Sequence, residues 1–201
     1  MGQYYRAVLC SANEKIALNP WAYHEGAKLM EHAYFGNQLV GTASRIIANN
    51  PTYVWWVGDY AVEEDIPNRC KAFKPIEVAW RGLATKDSPF KIDTNCHYGL
   101  DGFLVNLTTK EFVDLKHCKV GIHPLPLLTA VGNGRGGGDY RGDETSLKMV
   151  GIWADIWFAY FHAGKMQYCP GQIAYDEFDC SKLKKPRDPV KIGDKYVYEE
   201  E

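Results

Sequence analysis

Tyr53-Val54-Trp55-Trp56-Val57, closed by Gly58-Asp59-Tyr60, is the stretch on which the fold turns. Every residue of the run is β-branched or aromatic, types that pack well on a pleated surface. No charged or small polar residue interrupts it, so neither face is built for water, and the run reads as a central strand. Gly58-Asp59-Tyr60 supplies the turn chemistry that ends it. Just upstream, Asn37 is placed to cap a helix over Gln38–Ala48, where Leu39, Val40, Ala43, Ile46 and Ile47 recur near the helical period. Asn49-Asn50-Pro51 stops that helix, because the residue before a proline disfavours α geometry.

Further out, Tyr4–Cys10 and Ile16-Ala17-Leu18 flank the polar Asn13-Glu14 and read as a hairpin. Phe103–Leu107 and Phe112–Leu115, joined by Thr108-Thr109-Lys110-Glu111, read as a second one. Residues 61–100 are mixed, and Pro67, Pro75 and Pro89 interrupt any long element there. Met149–His162, rich in aromatics, reads as strand, with a buried helix as the alternative. The expectation is an α+β fold over residues 1–201: a single domain with a mainly antiparallel or mixed sheet and at least one packed helix. Trp55 and Trp153 are expected buried and close together. Residues 190–201 are expected to form an acidic, flexible end.

The chain has 201 residues, 46% hydrophobic and 24% charged, with a formal net charge of −2. That is the balance of a globular protein with one substantial core. It argues against a binder of duplex nucleic acid, which carries a basic excess. No apolar run is long enough to span a bilayer, so no membrane partner is expected. Met1–Arg6 shows no basic region followed by an apolar run, which points to a cytoplasmic location without a secretory signal. The six cysteines include no Cys-x-x-Cys pair. Cys96-His97 and His117-Cys118 could offer zinc ligands, but neighbours on a strand face opposite ways, and no metal is expected. Asn106-Leu107-Thr108 matches a glycosylation acceptor but reads as strand sequence. No cofactor and no oligomeric state can be assigned.

The densest chemistry lies between His123 and Asp143. After His123-Pro124-Leu125-Pro126-Leu127-Leu128, six glycines fall in the eleven residues from Gly132 to Gly142. Ordering so many is entropically expensive unless backbone must approach something closely. Consecutive glycine N–H groups can nest an anion, which makes Asn133, Gly134, Arg135, Gly136, Gly137, Gly138 and Asp139 the candidate ligand-binding residues. Arg135 would pair a phosphate. The spacing fits neither a phosphate-binding P-loop nor a dinucleotide fingerprint. A mobile surface loop with ordinary turns is the plain alternative.

Met1-Gly2-Gln3-Tyr4-Tyr5, Lys28-Leu29-Met30-Glu31-His32, Gly36-Asn37, Val57-Gly58-Asp59-Tyr60-Ala61, His123–Leu128, Gly132–Tyr140 and Val150-Gly151-Ile152-Trp153-Ala154 form a further pattern. Together they resemble a family of hypothetical proteins from bacteria and their phages, with matches over nearly the whole chain. Asp155 follows Ala154 directly, where the pattern has a small residue between. The resemblance carries no activity with it. It implies that these segments converge on one site or one packed core, and a phage setting would suit sequestration of a host signalling nucleotide.

Three readings of function follow. The first is binding of a small anionic ligand, a nucleotide or nucleotide signal, through the glycine segment, with an aromatic side chain stacking the base. His32 and Asp59 would line a concave pocket beside residues 132–139. The second is a metal-assisted phosphoester hydrolase with His123, Asp139 and Asp143 as ligands or acid–base groups. The third is a structural or interaction domain. No Ser/His/Asp arrangement, Gly-x-Ser-x-Gly or His-Glu-x-x-His occurs.

Overall fold

A computed structural model describes residues 3–11, 14–49, 51–81, 102–108, 111–115, 123–132, 157–162, 191–192 and 195–196. Strand β1 (Tyr5–Cys10) turns into β2 (Lys15–Leu18). A 3-10 turn at Pro20–Tyr23 and the short helix α1 (Leu29–His32) lead to α2 (Gln38–Asn49). Then come β3 (Thr52–Gly58), 3-10 turns at Glu63–Asp65 and Asn68–Phe73, and α3 (Pro75–Trp80). β4 (Gly102–Asn106), β5 (Glu111–Asp114), α4 (Pro124–Leu128), β6 (Ala130–Val131) and β7 (Trp157–His162) follow. β8 (Lys191–Ile192) and β9 (Lys195–Tyr196) pair antiparallel within the acidic end.

Among the described residues, the main sheet has seven strands in the order β2-β1-β3-β7-β4-β5, with β6 lying beside β3. β1 pairs β3 antiparallel from Tyr5↔Gly58 to Cys10↔Tyr53. The other edge of β3 is shared. Its first residues pair antiparallel with β7, through Thr52↔Phe158 and Tyr53↔Trp157. Its last residues pair parallel with β6, through Trp56↔Ala130 and Val57↔Val131. The fold is therefore α+β with a mixed sheet, as the sequence pattern leads one to expect.

Both faces of β3 are covered. Val54 and Trp56 point to the side where Tyr5, Ala7 and Leu9 meet Leu39, Val40, Ala43 and Ile47 of α2. Trp55 and Val57 point the other way, into a second cluster with Val8, Cys10, Ile66, Cys70, Ile76, Val78 and Ala79. Trp55 and Trp56 are both fully buried. Burial on this scale is worth several kcal/mol per aromatic side chain. The sheet is thus the middle of three layers, with α2 and α4 on one side and α3 on the other.

Both hairpins form where the β-rich runs and the polar residues between them place them. Asn106 ends β4 with its Oδ1 accepting the Thr108 N–H at 3.0 Å, so the glycosylation-like triplet is a strand end and turn. Residues 61–81 hold more helix than the prolines suggest. Pro75 stands at the first position of α3, where its missing N–H costs nothing. The stretch after His123, given no element from the sequence, is a buried single-turn helix, Pro124–Leu128. Again the proline opens the helix, with Pro124 at its first position. Within Met149–His162, residues 157–162 are strand, and Trp153 lies outside the described residues.

α2 starts as expected. Asn37 Oδ1 accepts the Val40 N–H at 3.1 Å, which satisfies one of the four donors a helix leaves open. Replacing this cap, Asn37→Ala, should lower folding stability by about 1 kcal/mol, while Asn37→Ser should retain most of it. Urea denaturation monitored by far-UV circular dichroism reads the difference, and equal losses in both variants would refute the capping role.

Candidate ligand site

The carboxyl end of β3 is a knot of three chain segments. Gln3, fully buried, donates from Nε2 to the Gly132 carbonyl at 2.8 Å and accepts the Tyr5 hydroxyl at 3.0 Å. Its carboxamide fills the space that a side chain at position 58 would need, so a larger residue there would displace Gln3 from its partners. Gly132 has φ +78°, and a Cβ there would lie 2.7 Å from the Ala61 Cα. Glycine is required at this position by both its conformation and the close approach. Tyr4 and Asp59 close the knot from outside. The Tyr4 N–H donates to Asp59 Oδ1 at 3.1 Å, and the Asp59 N–H donates to the Tyr4 carbonyl at 2.9 Å.

One step back along β3, Trp56 holds His32. The indole N–H donates to His32 Nε2 at 2.8 Å, and His32 Nδ1 lies 3.0 Å from the Gly26 carbonyl. An indole can only donate, so Nε2 is the acceptor and Nδ1 carries the proton. The imidazole is neutral and saturated. Burial pushes its pKa down to about 4 against the opposing pull of the Gly26 carbonyl and of Glu31.

His123 is held in a similar way. Its Nδ1 accepts the Leu125 N–H at 3.1 Å as the N-cap of α4, its own N–H reaches the Ala33 carbonyl at 3.2 Å, and its ring packs on Phe35. Burial lowers its pKa to about 3.

These contacts sort the residues expected to be functional. Asp59 is exposed at the rim, where its carboxylate fastens the first strand to the turn after β3. His32 lines no open surface: it is sealed beneath Trp56. His123 serves as a buried helix cap, which removes the open imidazole that a hydrolase ligand or base would need. Asn133, Gly134, Arg135, Gly136, Gly137, Gly138, Asp139 and Asp143 lie outside the described residues. So do Cys96, His97, His117 and Cys118.

Sequence reasoning overlooked Gln3 as a site residue. The signal was there in the spacing: Gln3 and Tyr5 share one face of an extended segment, and a buried amide needs partners. Gln3–Tyr5, Gly58–Ala61 and Gly132 meet around the end of β3, and His32 is tied to the same strand through Trp56.

Two measurements test this arrangement. Trp55 and Trp56 are equally buried, yet Trp55 Nε1 finds no partner among the described residues. Trp56→Phe strands the His32 acceptor, whereas Trp55→Phe removes an unpaired donor. Trp56→Phe should therefore cost about 1–3 kcal/mol more in chemical denaturation. Equal costs would refute the His32 bond.

The second measurement is pH. Both histidines titrate well below 6.5 when folded, so as pH falls below 6.5 the unfolded chain takes up protons that the folded chain refuses. The stability they give is complete above pH 6.5 and declines toward pH 4, by about 1.4 kcal/mol per pH unit for each histidine. His32→Gln should reduce the slope between pH 6 and pH 4.5 by one proton, and an unchanged slope would contradict the neutral, buried imidazole.

Compared with protein-family models, with curated proteins and with solved structures, the chain matches none.

Proposed function

We propose that this chain binds a small phosphate-bearing ligand, a nucleotide or nucleotide signal, at the carboxyl end of the parallel pair β3–β6. The observation that carries the reading is the pairing of two glycines there. Gly58 and Gly132 end two parallel strands side by side, with Gly132 pinned by Gln3 and Ala61. Ligands commonly bind outside the carboxyl ends of parallel strands, where the chain leaves as backbone-rich loops. From Gly132 the sequence continues as Asn133-Gly134-Arg135-Gly136-Gly137-Gly138-Asp139. A pinned first residue gives that segment a fixed origin, which lowers the entropy lost on gripping a ligand. Glycine N–H groups supply donors, and Arg135 supplies the charge.

Binding is favoured over hydrolysis because His123 is committed to α4. Sequestration of a host signalling nucleotide fits this reading as a biological use.

Arg135→Ala should weaken binding of a nucleotide by about 1.5–3 kcal/mol while barely changing the melting temperature. Isothermal titration calorimetry and a thermal melt on the same preparation separate the two. A large loss of thermal stability with unchanged affinity would overturn the proposal, making Arg135 a structural partner of an internal carboxylate.

A further inference from the structure

The first segment of the chain has two different faces. Gln3 and Tyr5 share the face turned toward the α2 layer, and both are fully buried. Tyr4 and Arg6 alternate with them and point to the other side of the sheet. Tyr4 is 41% exposed. Beside it stands Trp21, 53% exposed, with ring centroids 6.0 Å apart and planes at 62°. Two large rings left open side by side mark a binding surface more often than solitary exposed residues do. This surface faces away from the Gln3–Gly132 bond, so it is separate from the ligand site proposed above.

The patch is firmly backed. The Arg6 guanidinium lies 4.4 Å from the centre of the Trp80 ring and 5.8 Å from that of Trp21. Arg6 Nη1 donates to the Ala79 carbonyl at 2.9 Å, and the Trp80 indole donates to the Val57 carbonyl at 3.1 Å. Trp21 therefore rests on a side chain anchored to α3, and α3 is anchored in turn to β3. A surface set in advance loses little freedom when something docks on it.

Charge runs across this face in a definite order. On one side Tyr4 forms an antiparallel bridge with Lys28. On the other it meets Asp59, one step beyond the pair Tyr5↔Gly58, with the Asp59 N–H donating to the Tyr4 carbonyl at 2.9 Å and Asp59 Oδ1 accepting the Tyr4 N–H at 3.1 Å. The row is thus Lys28, Tyr4, Asp59: a cation, a ring and an anion on three adjacent segments. Asp59 is exposed, and its Oδ2 has no partner among the described residues. Glu31 spends Oε2 on the Lys28 N–H, and its Oε1 lies 3.9 Å from the Lys28 Nζ. An exposed pair at that distance holds the ammonium weakly and leaves it able to take another carboxylate.

An occupant carrying one sign of charge would be attracted at one end of this row and repelled at the other. A second copy of the chain, turned by half a revolution about Tyr4, is attracted at both, because the rotation exchanges the ends. The formal net charge of −2 sets little general repulsion against such a pairing. We propose that this face joins two copies of the chain about a two-fold axis at Tyr4, with Lys28 of each copy against Asp59 of the other and the Tyr4 and Trp21 rings supplying the apolar contact between them.

Sedimentation equilibrium of the full chain at rising concentration, with no ligand added, reads the mass directly, and a dimer in equilibrium with monomer is expected. Trp21→Ala should weaken association about tenfold or more. Lys28→Glu and Asp59→Lys should each be monomeric, because each would set two like-charged pairs face to face in its own dimer. Mixed together, these two variants should dimerise again, since every opposing pair then joins opposite charges. Melting curves establish that each variant is folded. If Asp59→Lys is not, Asp59→Asn takes its place: it keeps an acceptor for the Tyr4 N–H, removes the charge, and should weaken association in a folded chain. A native chain that stays monomeric at every concentration overturns the proposal and gives the patch to a different partner. A dimer that survives Trp21→Ala and Lys28→Glu at full strength overturns it too, by placing the interface elsewhere. Folded charge variants that are monomeric alone and remain so when mixed overturn the two-fold pairing of Lys28 with Asp59.

Discussion

Trp55 and Trp56 are neighbours on one strand, and neighbours on a strand face opposite ways. Neither face of the sheet can then be left to water, because each carries a fully buried indole at its centre. The three-layer arrangement follows. α2 and α4 cover the Trp56 side, and α3 with the 3-10 turns before it covers the Trp55 side. The same constraint places β1 and the pair β6–β7 on the two edges of β3, since a strand buried on both faces must also satisfy its backbone groups. Each layer is short, so the helices and turns owe their stability to this packing more than to local propensity.

Two buried polar side chains near the end of β3 have their polar atoms satisfied. His32 is neutral and has a partner for each nitrogen, and Gln3 spends its amide on Gly132 and Tyr5. These buried bonds do not merely stabilise. A buried donor or acceptor without a partner costs more than a satisfied one gains, so each bond also fixes a register. Gln3 fixes where the chain enters the glycine segment, and the Tyr4–Asp59 clamp fixes the first strand against the turn that follows β3. The candidate site is therefore built at the rim of the core from pieces whose positions the core dictates.

Much of this was legible in the sequence, for identifiable reasons. The apolar period after Asn37 and the stop at Asn49-Asn50-Pro51 describe α2 to within a residue. Unbroken β-formers reveal β3, and short β-rich runs on either side of polar residues reveal both hairpins. α3 and α4 were missed because a proline interrupts a helix in its interior but opens one at its first position, and only neighbouring contacts distinguish the two cases. β6 is two residues long, too short for any periodicity. At the site, Asp59 and the start of the glycine segment could be read from turn chemistry. His32 and His123 could not be assigned, since a buried imidazole and a catalytic one look alike until their partners are known. Exposure of Tyr4 and Trp21 depends on how the first strand meets the Pro20–Tyr23 turn, which no local pattern encodes.

The shared outer edge of β3 also governs how this chain reaches its fold. The hairpins β1–β2 and β4–β5 join segments that are close in sequence and can close in microseconds. β3 has no such neighbour. Its partners are the first strand of the chain, a two-residue strand beyond α4, and β7, later still. All three pairings require long loops to close before they return any contact energy, the condition that slows folding at a given stability. Until they form, β3 has both edges and both faces uncovered. The run that organises the native state is for that interval its greatest aggregation hazard, and early packing of α2, which directly precedes it in the chain, is its nearest available cover.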